Sequence, residues 1–335
     1  MAKAARLRMA VLFGIVAVLN VIAWGTLLLV VAPWEPGMAG LGVLAFTFGL
    51  RHAFDADHIS AIDNTTRNLL QKGKPAEGVG FYFSLGHSTI VAALALGLAI
   101  AAHAVATGLP ALQAVGGTVA TGISAAFLYG IAGLNLVVLV EILRGIRRRR
   151  TGGEPADPGR PPQMGGPMGR LVGGLVRLVD TAPRMYPIGV LFGLGFDTAS
   201  EVALLALSAG AASRHLPIYA VMDLPLLFAA GMALMDTADG AFMSRAYGWA
   251  LANPLRQTSY ILTVTGVSVA VALLVGSVEV LQIIAGRLRW NSGLWSFVGH
   301  LNFETLGYGI VALLALTWAC WYAASRAGRI DRRGA

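Results

Sequence analysis

Residues 37–62 read GMAGLGVLAFTFGLRHAFDADHISAI, an uncharged apolar run followed by Arg51, His52, Asp55, Asp57 and His58 in quick succession. The run reads as a membrane-spanning helix, because a hydrocarbon core about 30 Å thick takes about 20 helical residues to cross. Ionisable groups at that depth are costly, so they normally face a cavity, pair with one another and mark an ion or substrate path. Imidazoles and carboxylates set this close together also form a ligand set for a divalent metal ion. The first reading is a metal site inside a bilayer.

The rest of the chain agrees. Of 335 residues, 56% are hydrophobic and 13% charged, with a mean hydropathy of +0.69. A soluble domain carries about 25% charged residues. The net charge of +8 comes from Lys and Arg between apolar stretches, with no aromatic-studded basic face, so nucleic acid is not an expected partner. Cys320 is the single cysteine, which rules out an internal disulfide and argues against thiolate ligation of Cu(I) or structural zinc. The metal chemistry here is that of nitrogen and oxygen.

Apolar stretches long enough to span lie at Met9–Ala32, Gly37–Ile62, Val79–Ala104, Val119–Ile142, Tyr186–Ala212, Leu216–Phe242, Thr258–Ile284 and Trp295–Ala323. The expected fold is therefore an all-α integral membrane protein with eight transmembrane helices. Lys3, Arg6 and Arg8 precede the first stretch, but it outruns the roughly 7–15 apolar residues of a signal peptide and reads as a retained helix. Cytoplasmic loops hold the excess of Lys and Arg. One side collects 21 of the 25 basic residues, the other only Arg214, Arg287 and Arg289, and Arg51 falls inside a span. Both termini are thus predicted to be cytoplasmic, in a multi-pass protein of the cytoplasmic (inner) membrane. Three segments follow: a four-helix half over 1–144, a flexible basic linker over 145–184 and a second four-helix half over 185–335. Arg147–Arg150 in the linker reads as a topology signal in contact with anionic lipid.

The halves echo one another. Phe48-Gly49-Leu50 leads into Asp55 and Asp57, and Phe192-Gly193-Leu194 leads into Asp197 and Glu201. The loop charges run these two spans in opposite directions, and inverted repeats that meet at a midplane ion site are a recurring transporter plan.

On a straight helix at 3.6 residues per turn, His52, Asp55 and His58 fall within an arc of roughly 120° while Asp57 points almost the opposite way. Either the helix unwinds locally, or His52, Asp55 and His58 bind while Asp57 serves a neighbour. A metal-bound imidazole usually needs an acceptor on its other nitrogen, and Asp57 or Asp63 are candidates. Arg51 is placed to neutralise a carboxylate when the site is empty. His87, in the third span beside Gly86, is a further candidate for metal contact. Asp197 and Glu201 share a helix face, and Asp236 and Asp239 close the sixth span near Met232 and Met235. These four, with Arg51 and Asp63, are read as pathway or supporting groups.

These motifs resemble the nickel/cobalt transporters (NiCoT permeases) of bacteria. The resemblance rests on the His-x4-Asp-His pattern of His52, Asp57 and His58, on Leu85-Gly86-His87-Ser88-Thr89, on Leu194-Gly195-Phe196-Asp197-Thr198-Ala199-Ser200-Glu201, and on Gly231 to Gly240. The family's third motif usually has Thr where this chain has Ser200. The resemblance implies uptake of Ni2+ and/or Co2+ at trace supply, feeding metalloenzymes or cobalamin synthesis, with His52, Asp55, Asp57 and His58 at positions the family needs. The metal is then a transported substrate, and no cofactor is expected.

The ligand types select a late first-row divalent ion without choosing one, so a transporter or exporter of Mn2+, Zn2+ or Fe2+ is the alternative. An intramembrane metal-dependent enzyme is a weaker one. His-Glu-x-x-His is absent, and Asp239 to Arg245 lacks the spacing of lipid-alcohol phosphotransferases. Walker A is also absent, so the chain hydrolyses no ATP, and no ATPase partner is evident. Exporters of Ni and Co often bear a His-rich loop, whereas 145–183 has no histidine.

Overall fold

The computed structural model describes residues 2–100, most of 121–144, 179–194, 199–213, 216–251, 254–288, 293–299, 301 and 303–326. Among these residues the chain is helical, without strands. The elements are α1 (Ala2–Gly25), prolonged by a π-helical stretch Thr26–Val31, then α2 (Gly37–His52), α3 (Ala56–Gln71), α4 (Val79–Ile100), α5 (Met185–Phe192), α6 (Ala199–Ser213), α7 (Ile218–Leu251), α8 (Pro254–Leu288), α9 (Leu294–Gly299) and α10 (Phe303–Arg326). Among the described residues four helices are long and apolar enough to cross a membrane, Lys3–Val31, Val79–Gly97, Ile218–Gly248 and Thr265–Leu288, with a shorter apolar helix at Thr305–Cys320.

The second expected span is two helices rather than one. After His52 the backbone tightens, with Phe54 N donating to Arg51 O at 3.0 Å and Asp55 N to His52 O at 2.9 Å. Asp55 then turns extended (φ −63°, ψ 142°) and α3 begins. The fifth expected span also breaks: α5 ends at Phe192 and α6 starts at Ala199, residues 195–198 lying outside the described set. Both copies of the Phe-Gly-Leu echo therefore end a helix. Helices also overrun their expected ends. α3 continues from Ile62 to Gln71, and α7 continues through Gly240 to Leu251, so Asp236 and Asp239 lie inside a helix and not at its terminus. Tertiary packing outweighs the helix penalty of Gly240, since a Cβ there would stand 3.1 Å from Gly80 N.

α7 is the centre of the molecule, packing on α1, α2, α3, α4 and α6, so elements from 1–144 and 185–335 share one core. Glycines set how closely the helices approach. A Cβ at Gly49 would overlap the Phe228 carbonyl, and one at Gly231 the Phe46 carbonyl, which brings α2 onto α7. Gly80 meets the Asp236 carbonyl in the same way, joining α4 to α7, while Gly86 and Gly189 bring α4 and α5 together. Without a hydrophobic drive between helices in lipid, such backbone-to-backbone packing is a main source of cohesion.

α1 is the most lipid-like element: Leu7, Val11, Val18, Val21 and Leu29 are exposed, Leu29 by 80%. Polar anchors hold it. Arg8 pairs with Glu77 at 2.9 Å, Asn20 donates to the Ala230 carbonyl at 3.4 Å, and Thr26 donates to Asp223 at 2.5 Å. Of the expected linker, 145–178 lies outside the described residues. Its end is docked, with Val179 and Ala182 buried and Asp180 3.3 Å from Lys74 Nζ and 2.8 Å from Arg184 Nη1.

Candidate metal site

The break between α2 and α3 builds the site. Asp55 occupies the position that normally caps a helix N-terminus, yet its carboxylate makes no cap bond to α3. It lies 2.7 Å from His52 Nδ1. Asp57, in the first turn of α3 and half-buried, accepts the backbone N–H of His58 at 2.9 Å, as suits an anion at a helix N-terminus. The turn therefore sends His52 and His58 inward from two different helices, resolving the conflict that a single straight helix imposes.

His87 of α4 completes the group. Ligand atoms of His52, His58 and His87 all lie within 4.8 Å of one another, and the three side chains are buried. The ring centroids are 4.6 Å apart for His52 and His58, 4.8 Å for His52 and His87, and 4.9 Å for His58 and His87. Nε2 of His52 and Nε2 of His87 are 3.1 Å apart. Two nitrogens each about 2.1 Å from one ion, at a right angle, would be about 3.0 Å apart, so this pair is spaced as neighbouring ligands of one metal.

Carboxylates close the group. Glu201 Oε1 of α6 lies 2.7 Å from His87 Nε2 and 3.7 Å from His52 Nε2. Asp236 of α7 lies 3.5 Å from His58 Nδ1. Phe83 and Phe228 pack against the imidazoles, with ring centroids 4.7 Å from His58 and 5.6 Å from His52. Several of these buried atoms make no hydrogen bond: both ring nitrogens of His58, Nδ1 of His87 and both carboxylate oxygens of Asp236. Each buried unsatisfied polar group costs about 1–3 kcal/mol. A cation bound among them would offset that cost.

The remaining candidates are placed differently. Asp63 is buried but turned away from the imidazoles, accepting hydrogen bonds from the hydroxyls of Tyr247 and Ser268, the latter at 2.8 Å. Asp55 stands against His52 Nδ1 and Asp236 faces His58 Nδ1 at 3.5 Å, whereas Asp57 accepts the backbone N–H of His58 and Asp63 the hydroxyls of Tyr247 and Ser268. Arg51 is exposed and Asp239 partly buried, with one shielded carboxylate oxygen unbonded. Asp197 lies outside the described residues. Phe83, Phe228 and the clamp of Gly49 on Phe228 were not signalled by spacing, because aromatic and glycine residues recur throughout apolar helices.

The description "High-affinity nickel-transport protein" (NicO) matches residues 38–323, a stretch that holds every residue of this site. The chain belongs to the NicO family. Among its NicO relatives, "Nickel transporter NicT" of Mycobacterium tuberculosis is 45% identical over 337 residues, covering 97% of this chain and 91% of that protein. "Nickel transporter NixA" of Staphylococcus aureus is 45% identical, covering 88% and 87% respectively. "Cobalt transport protein NhlF" of Rhodococcus rhodochrous is 47% identical, covering 84% and 81%. No solved structure matches the chain.

Proposed function

We propose that the protein is a permease that takes up Ni2+ and/or Co2+ across the cytoplasmic membrane, through eight spans with both termini in the cytoplasm. The observation that carries this reading is the buried group of His52, His58 and His87 with Glu201 against two of the rings. Imidazole with carboxylate suits late first-row divalent ions, and the names of the relatives point to nickel and cobalt among them. The three histidines and Glu201 are the direct ligands. Asp55 and Asp236 orient the rings and raise their basicity, as carboxylates behind metal-bound histidines do. Asp57 holds the start of α3 in place, Asp63 ties α3 to α7 and α8, and Arg51, Asp197 and Asp239 belong to the approaches of the site.

The protein works as a transporter, not an enzyme. A divalent cation entering a negative interior gains about 2.3 kcal/mol per charge per 100 mV, or about 4.6 in all. That sustains accumulation on the order of a thousandfold, so the membrane potential is a sufficient drive.

The test is uptake of radiolabelled Ni2+ at nanomolar supply by cells producing the chain. We expect accumulation that His87→Ala reduces by more than about a hundredfold at equal membrane abundance. Normal accumulation by His87→Ala removes the site assignment, and competition by excess Co2+, Zn2+ and Mn2+ ranks the substrates.

A further inference from the structure

On one side of the histidine site, each helix continues from its polar group with apolar residues on the same face. At 3.6 residues per turn, Ala45 and Met38 lie within about 40° of His52 on α2, Val91 about 40° from His87 on α4 and Leu204 about 60° from Glu201 on α6. On α7, Leu224, Phe228 and Asp236 fall within an arc of roughly 120°. Phe228 packs on His52 and Asp236 faces His58, so this arc is the one that meets the site. Met38, Ala45, Val91, Leu204, Leu224 and Phe228 are each 0–2% exposed and join one apolar cluster. The loop charges assign that side to the outside. An apolar constriction without water stops an ion, so a cation coming from outside reaches His52 only when this seal parts.

One of the four helices is weak at the height of the seal. Pro225 lies inside α7, between Leu224 and Phe228. Proline lacks the N–H that would bond the Val221 carbonyl, and its ring crowds that carbonyl, so α7 bends more readily here than elsewhere. On the inner side of Pro225 the helix is pinned, Gly49 packing on the Phe228 carbonyl and Gly231 on that of Phe46. On the outer side, Ile218–Leu224 is tied instead to the end of α1. Asp223, about 140° round the helix from Phe228, accepts a hydrogen bond from Thr26, and the Tyr219 ring meets that of Trp34 with centroids 6.4 Å apart. Thr26 opens the π-helical stretch, where Ala32 N reaches back five residues to Leu27 O at 2.7 Å. Such wide turns concentrate at functional sites. Leu28, Leu29 and Val30 of this stretch are exposed, so its outer face meets yielding lipid.

We propose that Pro225 is the hinge of an outer gate: Ile218–Leu224 swings together with the π-helical end of α1, draws Leu224 out of the seal and opens His52 to a divalent cation from outside. This inference rests on the transport reading above. Phe228 stays in place, because its backbone is seated on Gly49, and backs His52 in both states. A few residues at such a point absorb the backbone change while the segments on either side move as rigid bodies.

The experiment compares initial rates of Ni2+ uptake by wild type, Pro225→Ala and Pro225→Gly. Alanine restores the missing hydrogen bond and stiffens α7, whereas glycine leaves the backbone free to bend. We expect Pro225→Ala to lower the maximal rate by about tenfold or more, with KM within about twofold and Tm no lower than wild type, and Pro225→Gly to recover most of the rate. The opening itself is read from Leu224→Cys in a Cys320→Ala parent, which otherwise has no thiol, with a charged, membrane-impermeant thiol reagent applied from outside. Adding Pro225→Ala should slow that reaction by about tenfold, while Val275→Cys, buried in a different cluster, stays inert throughout. A wild-type rate with unchanged Leu224→Cys labelling in Pro225→Ala overturns the hinge. Pro225→Gly as slow as Pro225→Ala at equal membrane abundance overturns it too. Wild-type chain that accumulates no Ni2+ overturns the transport reading first, and the gate with it.

Discussion

Two buried polar clusters lie on either side of α3, and they are built on opposite principles. Around Asp63 the donors match the acceptor: Tyr247 and Ser268 each give a hydroxyl to one carboxylate, tying α3 to α7 and α8. Around His58 they do not: both ring nitrogens and both oxygens of Asp236 lack hydrogen bonds although Asp236 is 0% exposed. A satisfied cluster rigidifies, whereas an unsatisfied one stores a need for a partner. The first is a pin and the second a receptacle, and burial alone does not distinguish them.

Three substitutions probe that difference. Asp236→Asn replaces a carboxylate facing His58 with an amide that carries no charge. We expect a tenfold to hundredfold rise in the KM for Ni2+ uptake, the usual loss when the carboxylate behind a ligating histidine is changed, with thermal stability in detergent unchanged or improved. An unchanged KM would make Asp236 part of the packing and blur the contrast.

Asp63→Asn should behave in the reverse sense. It leaves one of two hydroxyl donors facing an amide nitrogen at a buried site, so stability falls by about 1–3 kcal/mol. That loss reads out as a lower Tm of the purified protein, and the KM of the folded fraction stays within about twofold. Arg8→Gln is the calibration at the small end. The pair with Glu77 is half in solvent, Arg8 being 46% exposed, and such pairs contribute less than about 1 kcal/mol. A larger fall in Tm would mean that α1 depends on this anchor more than on the bonds of Asn20 to Ala230 and Thr26 to Asp223.

Much of this was legible in the sequence, and the reasons for the rest are specific. His52, Asp55, Asp57 and His58 announce a site because four such groups within seven residues are improbable in lipid without a task. Their geometry was not decidable from spacing. Breaking the helix and leaving Asp57 outside are both compatible with the pattern, and the chain breaks the helix between His52 and Ala56. The choice depends on Asp55 taking His52 Nδ1 in preference to capping α3, an interaction between side chains that no periodicity encodes. Glu201 and Asp236 were visible as intramembrane acids but not as neighbours of His87 and His58, since they come from α6 and α7, far along the chain. The ends of α3 and α7 were misplaced because hydropathy falls there while burial does not. The last helix was legible as the apolar stretch Trp295–Ala323, but no motif in it pointed to the site.

That last helix nevertheless bears on the receptacle. A Cβ at Gly307 of α10 would overlap the carbonyl of Phe54, and Tyr308 packs its ring on Phe54 with centroids 5.0 Å apart, both at the turn that carries Asp55. A ribosome making this polypeptide releases His52 and Asp55 long before it translates Gly307. The nascent protein thus holds its histidines early but acquires the brace behind them only once Gly307 and Tyr308 have been added.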